Sequence, residues 1–395
     1  MTTFPHIPGH RLLHAPGPTH LHQSVLEAMS RQPLDHGDPR LVDLVANCEA
    51  GLRRLVGSAQ AEIFMYAANG HGAWEACIAN LVSSGDTVLV PGTGHFSESW
   101  AVQTEALGGV VLRTPWVEGL PLNPDDIEAV LRADTGHAIK AVFTVHTDTA
   151  SGITNDLAAI RRAIDRASHP ALYVVDVVAS LGATEFDMQA LGANVVIGAS
   201  QKGLMCTPGL GFCAVDATAM AVARANSQPR FYWDWVRRIS DFTYMKFCGT
   251  APQNLLMGLE AALGLMQQEG MAQVFARHRR VAGATQAAVQ RWAKGGQVEF
   301  FGKVPETRSV SVTCISAQGF DVEALRTVAR ERFQVAFAGG LGPLTGRVFR
   351  IGHLGDINEA MIMGALGGIE SAMRVQGLRF ESGLEAAAAT LATMP

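Results

Sequence analysis

Two residues near the middle of the chain invite a chemical reading before any fold is assigned. Asp176 closes the apolar run ALYVVD, and Lys202 sits just past a second run, NVVIG, within the phrase GASQKGL. A third run, LGFCAV, follows a turn containing Gly203, Pro208 and Gly209. Short apolar runs bounded by turn residues predict strands buried on both faces. An acid and a lysine at the ends of such strands project where open α/β sheets place ligands. A lysine in apolar company is costly unless it is paired, neutral or covalently occupied. One chemistry needs both groups: a Schiff base between the lysine and pyridoxal phosphate (PLP), with the carboxylate holding a proton on the pyridine nitrogen. The plainer alternative is a salt-bridged acid and a surface lysine on an ordinary sheet, and the acid-ended strand alone favours it.

The bulk properties narrow the class. The chain has 395 residues, room for two domains, and its 48% hydrophobic and 17% charged content implies a large core. A formal net charge of −5 supplies no basic footprint for nucleic acid. Cys48, Cys77, Cys206, Cys213, Cys248 and Cys314 lack CxxC or zinc-ligand spacing, so reduced thiols and no metal site are expected. Cys206, near the lysine, reads as a small packing residue. The N-terminus lacks the pattern of a signal peptide, no apolar run reaches a membrane span, and LATMP is not a peroxisomal tripeptide. A cytoplasmic protein is expected, with no membrane and no nucleic-acid partner.

The elements that must position the two residues follow from the pattern. Residues 1–20 carry Pro5, Pro8, Pro16 and Pro18 and predict an extended arm; His6, His10 and His14 read as solvated or packing histidines, because Pro8 and Gly9 break any helix between them. Thr19 can cap a helix running to about Ser30, and 39–56 has helical periodicity. Strands are expected at 62–67, 86–91, 110–114 and 139–145, and a crossover helix at 156–167. After the first of these strands, Asn69-Gly70-His71-Gly72 opens a helix whose free N–H groups make a phosphate site. Gly94-His95-Phe96-Ser97 starts another helix, and His146-Thr147-Asp148-Thr149 follows the 139–145 strand. About seven strands with intervening helices predict a doubly wound, mostly parallel sheet in a large domain, 21–252. Two helices, 253–268 and 272–293, lead to a smaller C-terminal α/β domain within 253–395, with strands at 309–314 and 347–351 and helices at 320–333 and 358–374. The Ala-rich tail after Leu384 reads as a fraying helix. The aromatic, arginine-rich segment 230–247 reads as an interface or channel wall rather than a nucleic-acid surface.

Taken together, VDVVASLGA around Asp176, GASQKGL around Lys202, GAWEA starting at Gly72 and VFRIGH around Arg350 resemble the class V, fold-type I PLP-dependent aminotransferases, most of all the serine– and alanine–glyoxylate enzymes. The resemblance covers nearly the whole chain. It implies a homodimer with shared active sites, in which Lys202 carries PLP and Asp176 pairs with its ring nitrogen. It implies that Phe96 stacks on the ring and Thr149 contacts its phenolic or imine edge. The phosphate would be held by the backbones of Gly70 and His71, by Gln201 and by Thr250 of a neighbouring copy. Arg350 would grip the substrate α-carboxylate as a bidentate pair. Two departures stand out: Gly37, where many relatives place an arginine, and Phe247, where relatives have a tyrosine.

The reaction implied is transfer of an amino group from serine, aspartate or alanine to glyoxylate. A donor such as aspartate would need a further cation, for which His36, Arg40 and Arg347 are candidates. Alternatives are a PLP lyase or desulfurase of the same fold, or an aminotransferase accepting on pyruvate. The desulfurase alternative needs a mobile late cysteine, and Cys314, the only late one, falls in an expected strand.

Overall fold

Uninterrupted apolar runs become the central strands of a seven-stranded sheet. In a computed structural model, which describes residues 9–393, the order across this sheet is Glu62–Ala67, Leu210–Val215, Val195–Ala199, Leu172–Asp176, Ile139–Val145, Thr87–Pro91 and Val110–Thr114. Leu210–Val215 runs antiparallel to both its neighbours, and all other pairs are parallel. Period-two alternation then sends successive side chains to opposite faces. Met65, Val142, Tyr173 and Val196 face one core with the helices Pro39–Val56 and Gln253–Glu269; Phe64, Phe143, Val174 and Ile197 face the other with Gly70–Leu81 and Trp100. The expected doubly wound, mostly parallel architecture is present.

A second sheet has five strands in the order Leu12–His14, Val335–Gly339, Val348–Gly352, Val312–Ala317 and Val298–Phe300. Leu12–His14 pairs in parallel with Val335–Phe337, so this part of the expected arm is built into the smaller sheet. His14 is buried there and hydrogen-bonds the Gly352 carbonyl, a packing role; burial pushes its pKa down to about 4. Pro5, His6 and Pro8 lie outside the described residues.

Several local expectations are corrected by caps and docking. The helix expected from Thr19 runs over Gln23–Met29 and is capped by His22, whose ring accepts the Ser24 N–H at 3.2 Å. Thr19 is buried and donates instead to the Lys202 carbonyl at 3.3 Å. The strand expected at 309–314 starts and ends three residues later, at Val312–Ala317. The tail helix Leu384–Thr393 does not fray from the body: Ala387 is fully buried. Its approach is pinned by Glu370, which accepts from Ser382 Oγ at 2.8 Å, Gly383 N at 2.6 Å and Trp292 Nε1 at 2.9 Å. Among the described residues, no helix is long and apolar enough to cross a membrane.

Candidate active site

The parallel strands Leu172–Asp176 and Val195–Ala199 are neighbours, so whatever follows their C-terminal ends emerges side by side. There they line a cavity of about 270 Å³ together with the starts of two helices. Seven of the residues singled out above line it: Gly70, His71, Phe96, Thr149, Asp176, Gln201 and Lys202. Gly17, Pro18 and Trp74 join them.

Lys202 is held at the cavity by a pinned turn. Ser200 Oγ donates to the Thr207 carbonyl at 2.6 Å, Ser200 N to Leu210 O at 2.9 Å, and Cys206 N to Ser200 O at 3.0 Å. Its ammonium donates to the Pro16 carbonyl, and Gly17 lies against its stem: a Cβ on Gly17 would stand 2.8 Å from Nζ. Burial, and then the positive charge of Arg350, push the Lys202 pKa down to about 8 against the opposing pull of Asp176 and Asp148. About a tenth of a group so poised is the neutral amine at pH 7, against well under a thousandth for an ordinary lysine, and that is the form a nucleophile or base requires.

Asp176 is buried, and both carboxylate oxygens are occupied. Val178 N–H donates to Oδ1 at 2.8 Å and Trp74 Nε1–H to Oδ2 at 2.6 Å. Burial lifts its pKa to about 7, while these two donors and Lys202 favour the ionised form.

Helix Gly70–Leu81 begins at the cavity wall, capped by Asn69, whose side chain accepts the Gly72 N–H at 3.3 Å. The N–H groups of a helix's first turn have no intrahelical acceptors, so Gly70 and His71 bring an anion-binding terminus to the site. Phe96 lies in the first turn of helix His95–Ala106, and its N–H donates to Asp148 Oδ2 at 2.9 Å. Asp148, fully buried, also accepts the Ala150 N–H at 2.9 Å, so it orders this corner of the site. Behind Phe96 the indoles of Trp74 and Trp100 stack at 5.3 Å, and Trp100 stacks on Phe143 at 4.7 Å.

Arg350 does not line the cavity itself. It is buried one residue-layer behind, with Nε donating to the Gly339 carbonyl at 2.6 Å and Nη1 to the Thr149 carbonyl at 2.9 Å. Thr250 is exposed and away from this cavity, and the ring of Phe247 is buried in the core of the large sheet. The three candidate extra cations are also elsewhere. Arg40 is paired with Asp38, Arg347 makes a bidentate pair with Glu118 at 2.9 and 2.8 Å, and His36 packs edge-on against Tyr244. Cys314 is buried in its strand with its thiol pushed up to about 12 by burial, a poor match to a mobile nucleophile.

Trp74 was not legible as a site residue, nor was the contact that Gly17 makes with Lys202. GAWEA signalled only a motif match, although Trp74 stands four residues after Gly70 and so shares its helix face. Gly17 falls in the phrase Ala15-Pro16-Gly17-Pro18-Thr19, which resembles the entry segment that runs along the active-site mouth in class V aminotransferases; that resemblance marked the segment and not its contact with Lys202.

The donor set suits a phosphorylated pyridine aldehyde: a depressed lysine amine, a buried carboxylate, and a helix N-terminus for the phosphate. Gln201 adds a buried side-chain oxygen with no hydrogen-bond partner among the described residues, so its amide is not committed to the protein.

Comparison with known proteins agrees with this geometry. Residues 11–345 match the family described as Aminotransferase class-V. The chain is 36% identical to an L-aspartate–glyoxylate aminotransferase of Paracoccus denitrificans, covering 95% of this chain and 94% of the relative. It is 37% identical to a serine–glyoxylate aminotransferase of Methylorubrum extorquens, covering 97% and 96%. Among solved structures, ureidoglycine–glyoxylate aminotransferase from Bacillus subtilis superposes with a TM-score of 0.89 at 24% identity, covering 98% of this chain and 99% of that one, a likeness of fold. On the family match and on relatives of this identity and coverage, the chain belongs to the class-V aminotransferases, enzymes whose cofactor is PLP.

Proposed function

We propose that the protein transfers the amino group of a small L-amino acid (serine, aspartate or alanine) to glyoxylate, giving glycine and a 2-keto acid. The observation that carries this reading is the meeting of Lys202 and Asp176 at one cavity, in a chain whose relatives at 36% and 37% identity are named for glyoxylate.

In this reading Lys202 Nζ would be the amine that holds PLP, with Asp176 as the partner of its ring nitrogen and Phe96 as the side chain that would pack on the ring. The backbones of Gly70 and His71, with the Gln201 amide, would hold the phosphate, and Thr149 would hold the phenolic edge. When bound, the cofactor supplies an electron sink that makes the Cα–H of the amino acid acidic. The chain's own residues do the rest. Arg350 orients the donor by its α-carboxylate, and the walls Trp74, Val145, Val178 and Pro208 exclude water. Asp176, as the carboxylate, would stabilise a proton on the ring nitrogen. Lys202 Nζ, as the neutral amine, would take the proton from Cα of the amino donor and, in the second half of the transfer, give one to Cα of the acceptor.

Thr250 is assigned to the phosphate of a second copy, which makes a homodimer the working unit. Its exposure, and that of Phe231, Phe242 and Tyr244 nearby, supports an interface in this region. We retain 21–252 and 253–395 as the two domains; the pairing of Leu12–His14 argues that part of the arm travels with the smaller one. A cytoplasmic location is supported by six cysteines that are all free.

The test is a visible spectrum of the purified protein, titrated separately with serine, alanine and aspartate. The expected result is a yellow form bleached by one donor and restored by glyoxylate, which names the donor. Restoration by pyruvate but not glyoxylate would change the acceptor. Release of ammonia or sulfide would move the protein to the lyase class, and no chromophore after PLP addition would overturn the reading.

A further inference from the structure

The indole of Trp74 has no freedom to avoid Asp176. It is buried, it stacks on Trp100 at 5.3 Å with the planes 8° apart, and Trp100 in turn stacks on Phe143 at 4.7 Å and 11°. The one polar atom of the ring, Nε1, donates to Asp176 Oδ2 at 2.6 Å across 102 residues of sequence. Trp74 also shares helix Gly70–Leu81 with Gly70 and His71, so one rigid rod carries both the anion-binding terminus and the contact to the acid.

We propose that Trp74 is a positioning residue for amino transfer: its indole N–H aims the Asp176 carboxylate into the cavity and keeps it ionised. The inference rests on the reading of Asp176 as the partner of the ring nitrogen. Its physical basis is a competition. Burial favours the neutral carboxyl, and the nearby Asp148 pushes the same way. Against them stand the Val178 N–H, the Trp74 N–H and the charge of Lys202. Only a charged carboxylate stabilises a proton on the ring nitrogen, so a donor that favours the anion favours the chemistry. A backbone donor such as Val178 follows the turn, whereas the indole is aimed by packing and can be removed by a substitution that leaves the backbone as it is.

The same stack contains a control. Trp100 is fully buried like Trp74, yet its Nε1 has no hydrogen-bond partner among the described residues. Trp74→Phe and Trp100→Phe therefore remove similar aromatic volume from one column, and only the first removes a donor to Asp176.

The experiment titrates the Asp176 carboxyl in the full-length, cofactor-free protein, using 13C-carboxyl aspartate and assignment by Asp176→Asn. The expected result is a midpoint raised by ~1 pH unit in Trp74→Phe and unchanged in Trp100→Phe. A wild-type midpoint in Trp74→Phe, or an equal rise in both variants, would overturn the proposal. A measurement on the unsubstituted protein covers the case of a misfolded variant. With 15N-labelled tryptophan, one indole N–H resonance should move with the Asp176 midpoint and stop moving in Asp176→Asn; absence of such a resonance overturns the proposal too. The parent reading is tested apart, by the 15N shift of ring-labelled PLP in the wild-type holoenzyme. An unprotonated ring nitrogen there would overturn the role of Asp176, and with it the catalytic meaning of the contact, whichever way the carboxyl titration came out.

Discussion

Arg350 Nη1 donates to the carbonyl of Thr149, so a strand of the smaller sheet is tied directly to a wall of the cavity in the larger one. The bond places a buried cation behind the site and makes its position depend on how the two sheets sit together. Arg350→Lys keeps the charge but loses the planar fork. We expect kcat/KM for every amino donor to fall roughly 10–100-fold, mostly through KM, because a charged hydrogen bond is worth about 1.5–3 kcal/mol. Steady-state kinetics check this; an unchanged KM would remove Arg350 from carboxylate binding.

Lys202→Ala should stop turnover, with a loss of about 10⁴-fold or more, since the amine is both the attachment point and the proton carrier. The hydrogen bond of its side chain to the Pro16 carbonyl is the contact forfeited, and the strand-end turn is held by Ser200, so folding should survive. The measurement is keto-acid release alongside a thermal melt. A variant that transaminates at the wild-type rate would sink the site assignment.

The depressed pKa of Lys202 predicts a pH dependence for loading the cofactor. Below about 8 the lysine is mostly protonated and cannot attack an aldehyde; above it the amine is free. The rate at which PLP colours the cofactor-free protein should climb about tenfold per unit at low pH and level off near 8, rather than continue towards 10.5 as for an exposed lysine. The sign for stability follows from the same shift. Between about 8 and 10.5 the unfolded lysine holds a proton that the folded one has released, so the cofactor-free chain gains stability as pH rises through this window. Stopped-flow absorbance and denaturant titrations at several pH values read the two effects.

Gly17 has φ +110°, a conformation that L side chains rarely adopt, and it lies against the Lys202 stem. Gly17→Ala should weaken cofactor binding by roughly 10–100-fold, as expected for about 1–3 kcal/mol of local strain. Equilibrium dialysis against PLP gives the value directly. Wild-type affinity would mean that the segment shifts without disturbing Lys202.

The large sheet was legible because burial on both faces leaves an unmistakable pattern. Glu62–Ala67, Ile139–Val145 and Leu210–Val215 lie where their apolar runs predicted. The smaller sheet was less so: Leu12–His14 and Val298–Phe300 are three residues each, too short to show a period, and Val312–Ala317 mixes Thr313 and Ser316 into its run. The tail helix was misjudged for a related reason, since an Ala-rich pattern does not reveal the surface prepared for it beside the buried Glu370.

Lys202, Asp176, Gly70 and His71 could be nominated from local chemistry, because each stands at a strand end, a turn or a helix start, whereas Phe96, Thr149 and Gln201 were marked by the resemblance to the class V aminotransferases. Which of them meet, and through whom, was a matter of strand order and layer packing. Trp74 reaches Asp176 across 102 residues, Pro16 reaches Lys202 across 186, and Arg350 reaches Thr149 across 201. Periodicity and turn preference act over a few residues and are written in the sequence; a hydrogen bond between distant segments exists only once the core has brought their backbones to within a few ångströms.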